Sequence, residues 1–283
     1  MKDQVIVITG ATDGIGKVAA RELSKKGYAT VLVGRNIRKL ESTKEEFLKL
    51  NPQALITIFQ ADLSLLKETK RVGKEILNKF PKIYCLLNNA GAFFADRTLT
   101  TEGLESTFAL NHMNYFILSH ELLPALQNHG KARIVNVASG AHVGVTLDKE
   151  DLLAEKNYSG WKQYQRSKLM NIYFTQSLSE KVKTKGITVN CLHPGFVKTK
   201  FGHNNEGLAK TLVAIGQNLF AINEDKGAAT SIYLADSKDI EAVTGKYFVK
   251  SKESKSSKQS HIAADREYLW DYSEKIAKSI LGN

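Results

Sequence analysis

No apolar run in the chain approaches the ~18 residues that a membrane-spanning helix needs. The amino terminus passes from Met1-Lys2-Asp3 straight into Val5-Ile6-Val7-Ile8, too short an apolar stretch for the core of a secretory signal, so neither an anchor nor a leader is expected. Cysteine is nearly absent. Cys85 and Cys191 each lie within apolar, strand-like runs and read as buried free thiols, which fits a reducing cytoplasm. Metal-ligand spacing is lacking as well: His193 has no companion ligand, so it reads as a structural histidine and no metal is expected. No basic stretch carries aromatics spaced for base stacking, and no helix-turn-helix or RNA-binding signature appears. The net charge of +11 is therefore assigned to solvated helix faces such as Arg35 to Lys49 and Lys67 to Lys82, not to nucleic acid. Attraction of an anionic cofactor is a secondary benefit.

What is present is ordinary globular composition, 42% hydrophobic and 24% charged, in 283 residues that suit one α/β domain spanning 1–283. Val5 to Ile8 reads as a strand buried on both faces. It leads into Thr9-Gly-Ala-Thr-Asp-Gly-Ile-Gly16 and then a helix from Lys17 to about Lys26. Glycines in that position permit a tight turn, close approach of backbone to phosphate and close helix packing, while the helix N-terminus favours an anion. The spacing is G-x-x-x-G-x-G, not G-x-G-x-x-G. A second strand, Thr30 to Val33, ends in Gly34-Arg35-Asn36, where a site for NAD would carry an acid for the ribose hydroxyl. The acid is missing, so Arg35, aided by Lys17 and Arg38, points to the 2′-phosphate of NADP.

Further strands follow at 55–59, 83–87, 133–137, 188–192 and 246–249, with helices between them, making seven in a mostly parallel sheet with helices on both faces. Asp62 reads as a helix cap, an adenine contact, or both. Glu105 to Leu126 reads as one long helix ending near Pro124, with Asn111 inside it among apolar neighbours and in need of a partner. Ser139 stands at the carboxyl end of the fifth strand, where ligand crevices form. Residues 200–223, with three glycines amid apolar positions, read as a substrate lid. Lys250 to Gln259 reads as a flexible loop and 262–281 as an amphipathic terminal helix docked on its own domain. On the helix from about Trp161 to Lys183, Tyr164 and Lys168 share a face at i and i+4. A fixed ammonium beside a phenol lowers the phenol's pKa from about 10 toward the range where acid–base catalysis is efficient.

Thr9-Gly10-x-x-x-Gly14-x-Gly16, Asn88-Asn89-Ala90-Gly91, Asn111, Ser139, Tyr164-x-x-x-Lys168 and Pro194-Gly195 together resemble the short-chain dehydrogenase/reductase family. Leu110-Asn-His-Met-Asn-Tyr-Phe116 and the long gap between Ser139 and Tyr164 are similar to its retinol-dehydrogenase-like branch, whose membrane-bound members usually carry an amino-terminal anchor that is lacking here. The resemblance implies a single doubly wound Rossmann domain and NADP(H)-dependent interconversion of an aldehyde or ketone with an alcohol. It implies Tyr164 as general acid or base, Lys168 as the group that lowers its pKa and holds the nicotinamide ribose, Ser139 on the substrate oxygen, and Asn111 in a proton relay. Gly10, Thr12, Asp13, Gly14, Ile15 and Gly16 would face the pyrophosphate, and Arg35 with Asn36 the 2′-phosphate. Asp62 and Leu63 would meet adenine, Asn89 and Ala90 the ribose region, and Pro194, Gly195, Val197 and Thr199 the carboxamide side. Family members often pair through the helices bearing Asn111 and Tyr164, so a homodimer or homotetramer is compatible with the resemblance. The competing class is a catalytically silent dinucleotide-sensing regulator on the same fold, although this chain keeps every chemical position.

Overall fold

The computed structural model describes residues 4–195 and 223–282. The readings placed on Val197, Thr199 and the lid across 200–222 lie outside them. Eight strands form a single sheet in the order β3-β2-β1-β4-β5-β6-β7-β8. They are β1 (Val5–Thr9), β2 (Ala29–Gly34), β3 (Ile56–Gln60), β4 (Cys85–Asn88), β5 (Ala132–Val137), β6 (Ile187–His193), β7 (Tyr247–Val249) and β8 (Lys252–Ser254). The first seven pair in parallel and β8 is antiparallel to β7. The doubly wound architecture is as expected. The additional strand falls where a flexible Lys/Ser-rich loop was read, because Lys250 and Ser251 both adopt the left-handed region (φ 50° and 59°) and fold the chain back as a tight hairpin.

Alternation along the buried strands feeds two cores. Val5 and Val7 face one side, with α3 (Leu66–Lys79), α4 (Asn114–His129), α5 (Gly160–Lys181) and α7 (Ala263–Leu281). Ile6 and Ile8 face the other, with α1 (Gly14–Lys25), α2 (Ile37–Leu50) and α6 (Glu224–Asp236). Each fully buried aliphatic side chain contributes about 1.5–3 kcal/mol. Strand order reverses between β1 and β4, both central, so a crevice opens at their carboxyl ends.

Caps set where the helices begin. Asp13 accepts from Gly14 N at 3.0 Å, and Asn36 from Lys39 N at 3.1 Å. Asp62 is not the cap of α3. It accepts from Ser64 N at 3.0 Å within its own turn, and the first amides of α3, Leu66 N and Lys67 N, donate to Glu102 at 2.6 and 3.0 Å. The long helix expected from Glu105 is subdivided: a turn at Ser106–Phe108, a π-helical turn at Ala109–Met113, then α4. It runs through Pro124, which stands exposed on the helix surface. The carbonyl-end stop is Gly130 in the left-handed region.

Candidate active site

The crevice is held together by Thr9. Its hydroxyl accepts from Asn89 N at 2.9 Å and Ala90 N at 3.0 Å, tying the end of β4 to the end of β1. Asn89 returns its amide to Thr9 O at 2.8 Å and Gly10 O at 3.3 Å. Gly10 takes φ +65° at the turn, and a Cβ on Gly16 would stand 2.2 Å from Asn89 Nδ2, so only glycine lets α1 approach this close. Gly14 and Ile15 begin α1, and Thr12 precedes its cap Asp13. The Asn89 amide is thus spent on the scaffold, and Ala90 is buried beside it.

Along β5 the chain leaves the sheet at Val137, and Ser139 starts a 3₁₀ turn by accepting from Ala141 N at 3.1 Å. His142 fixes that turn: its Nδ1 bonds Ser139 O at 2.6 Å, while Nε2 accepts from Ser257 N at 3.0 Å. Burial lowers the His142 pKa, consistent with a neutral ring bonded in this tautomer. Tyr164 and Lys168, one turn apart on α5, point toward the same strand end. The Ser139 hydroxyl acts on the Tyr164 phenol, favouring its ionised form, and Lys168 Nζ donates to Val137 O at 3.2 Å and lies 5.6 Å from the Tyr164 ring centroid. Asn171, a turn further, also donates to Val137 O at 3.3 Å.

Asn111 lies in the π-helical turn with its partners found. Oδ1 accepts from Ala92 N at 2.8 Å, and Nδ2 donates to Ala92 O at 2.9 Å and Ser167 Oγ at 3.0 Å. A Cβ on Gly91 would lie 3.1 Å from Asn111 Oδ1 and 3.4 Å from Lys168 Nζ, so this glycine marks where the two groups approach each other. Its oxygen and both amide hydrogens are thus all bonded within the protein.

The electrostatics depart from one expectation. Burial pushes the Tyr164 phenol up to about 12, with the Ser139 hydrogen bond opposing. Burial also pulls Lys168 down to about 8. Loss of hydration outweighs any pull of the amine on the phenol, and both shifts favour neutral side chains.

Toward the nucleotide end, Arg35 at the carboxyl end of β2 is 79% exposed and 3.8 Å from Asp62 Oδ2. Asn36 beside it is occupied as a cap, and Leu63 is buried in the core. Lys17 is held by Glu46 at 2.6 Å and does not join Arg35. Lys39 lies 3.9 Å from Asp13 instead. Pro194 and Gly195, with Gly195 at φ +91°, follow β6. His193 packs on Gly140, whose Cβ would come within 3.2 Å of its ring, and no group of three His, Cys, Asp or Glu is placed to hold a metal ion among the described residues.

Two aromatics escaped the sequence reading. Trp161 stacks on Tyr164 at 5.8 Å and 26°, yet remains 52% exposed; Phe93 stands edge-on to Tyr164 at 6.2 Å. The spacing of Trp161 one turn before Tyr164 could have revealed it. Nothing local marks Phe93.

A short chain dehydrogenase family model matches residues 4–209. Retinol dehydrogenase 12 of Mus musculus is 33% identical over 273 residues, covering 95% of this chain and 85% of that protein. The chloroplastic short-chain dehydrogenase TIC 32 A of Brassica napus is 35% identical, covering 99% and 90%. An uncharacterised protein from Mycobacterium Paratuberculosis superimposes with a TM-score of 0.77 at 27% identity, covering 97% and 93% of the two chains. With this fold, these motif residues at one crevice and relatives of this extent, the chain belongs to the short-chain dehydrogenase/reductase family and is retinol-dehydrogenase-like.

Proposed function

We propose that the protein interconverts a carbonyl and an alcohol by hydride transfer with NADP(H), in preference to NAD(H), with Tyr164 as acid in reduction and base in oxidation. The observation that carries this reading is the meeting of three groups at one strand end: the buried Tyr164 phenol, the Ser139 hydroxyl that acts on it, and the Lys168 amine on Val137 O. A phenol held near 12 is fully protonated at neutrality and ready to donate. Ser139 offers the substrate oxygen a second donor where negative charge develops. The dinucleotide, when bound, supplies the hydride. Its pyrophosphate fits the glycine turn that a side chain at Gly16 would close, and its 2′-phosphate fits Arg35, whose guanidinium is exposed at a β2 end that carries no acid of its own, with Asp62 beyond β3 3.8 Å away. Trp161 and Phe93 provide an apolar wall against the phenol ring, suited to a small-molecule aldehyde, ketone or alcohol; retinol, named in several relatives, is an alcohol of that character. The free, buried thiols of Cys85 and Cys191 agree with a cytoplasmic location.

Purified protein is expected to oxidise NADPH with a panel of aldehydes and ketones. Tyr164→Phe removes the proton donor and should lower kcat by roughly 10²–10⁴-fold; retention of full activity would refute the assignment. Arg35→Ala removes a charge-assisted contact, so KM for NADPH should rise about tenfold or more while KM for NADH stays unchanged. Equal effects on both cofactors would remove the basis for NADP preference.

A further inference from the structure

Glu105 is a wholly buried acid with no part in the proton transfer proposed above. Its Oε1 accepts from Thr107 N at 2.8 Å and its Oε2 from Phe108 N at 2.8 Å, so it caps the turn that leads into the π-helical segment bearing Asn111. Helix caps are ordinarily Ser, Thr, Asp or Asn, whose short side chains suffice for that task. The longer side chain here does something more. Oε2 also accepts from Gln163 Nε2 at 2.9 Å, and the Tyr158 hydroxyl lies 3.4 Å from Oε1. Gln163 immediately precedes Tyr164, and its amide donates as well to Leu152 O at 3.0 Å in the segment between Ser139 and α5. Tyr158 in turn donates to Phe94 O at 3.1 Å, next to Phe93. Donors from two chain segments, Thr107 with Phe108 and Gln163 on α5, therefore converge on one side chain.

We infer that Glu105 is a positioning residue: it links the turn bearing Asn111 to the helix bearing Tyr164 and thereby sets the distance between the relay side of the site and the phenol. The link is direct and buried, and Phe108 and Gln163 are three residues and one residue from the groups they place. Loss of it shifts Tyr164 against Asn111 and Ser139 while leaving the β1 turn and Arg35, where the dinucleotide phosphates would sit, untouched. A misplacement of about 1 Å can cost as much as 10²-fold in rate. This inference rests on the oxidoreductase reading above.

The test cuts the link from either side. Gln163→Met leaves the cap of Thr107 and Phe108 intact, and Glu105→Asp keeps a cap but is too short to reach across. Both variants should lower kcat about tenfold or more, leave the NADPH Kd measured by fluorescence within about twofold, and move the alkaline limb of the kcat pH profile, which reports the Tyr164 and Lys168 pair. Folded variants with wild-type kcat and an unmoved limb would show Glu105 to be a helix cap only. If Glu105→Asp fails to fold, Gln163→Met decides alone. A wild-type protein that binds NADPH but reduces no carbonyl would refute the reading of function instead. In that case amide exchange of residues 106–113 in Gln163→Met must still accelerate, and unchanged protection overturns the link.

Discussion

Lys168 keeps an amine at 3% exposure, bonded to one strand-end carbonyl, and burial lowers its pKa from 10.5 to about 8. A shift of that size corresponds to about 3 kcal/mol against folding at neutral pH. Between pH 8 and 10.5 the unfolded chain binds more protons than the folded one, so this group's unfavourable contribution diminishes as pH rises through that window. Tyr164 acts oppositely: with its pKa raised from 10.0 to about 12, its stabilising contribution is complete below pH 10 and is lost above it. Lys168→Met should therefore melt at a higher temperature than wild type at pH 7, with the gap closing toward pH 10, although turnover is lost. A variant that melts lower at pH 7 would mean the amine stabilises the fold. Chemistry and stability conflict at this position. The Tyr164–Lys168 pair was legible because one helical turn places both side chains, a purely local relation. Thr9 was not, because the amides it gathers come 80 and 81 positions later; nor was Glu105, 58 positions from Gln163.

Among the elements, the strands and most helices followed from apolar runs separated by glycine turns, as buried parallel sheets require. The π-helical turn at Ala109–Met113 did not, because its apolar residues read equally well as α-helix; tertiary bonds from Asn111 to Ala92 and Ser167 accompany the wider turn. The β7–β8 hairpin was missed for a different reason. Its two turn residues, Lys250 and Ser251, are not the Asn-Gly pair that such turns favour, and each bears left-handed strain of roughly 1–2 kcal/mol. Lys250→Asn with Ser251→Gly should relieve part of it and raise Tm by a few degrees, with activity unchanged. Thermal melts decide, and a lower Tm would show that Lys250 and Ser251 make contacts worth more than their strain. Ser251 N does donate to Thr230 Oγ1 at 3.1 Å, a bond that the glycine variant keeps.

At the scale of the molecule, α7 covers the helices through which a resemblance to the family suggested pairing. Trp270 lies 5.1 Å from Phe116 on α4 and 6.1 Å from Phe174 on α5, with Lys181 4.5 Å above its ring. His112 Nε2 bonds Ser273 Oγ at 2.8 Å, adjacent to Asn111. A second copy would have to displace this helix to reach that face. The protein is expected to sediment as a monomer, and Trp270→Ala, which empties an aromatic contact at a cost of about 3–5 kcal/mol, to self-associate or lose stability. A wild-type dimer that persists at nanomolar concentration would contradict this. Time also enters through the His142–Ser257 bond, which spans 115 positions. The loop carrying Ser139 emerges from the ribosome long before its anchor is made, so a nascent chain can complete its glycine turn and central strands while the Ser139 turn still lacks its tether. The Ser139 turn is therefore completed late, by a residue 115 positions downstream of the ring that it holds.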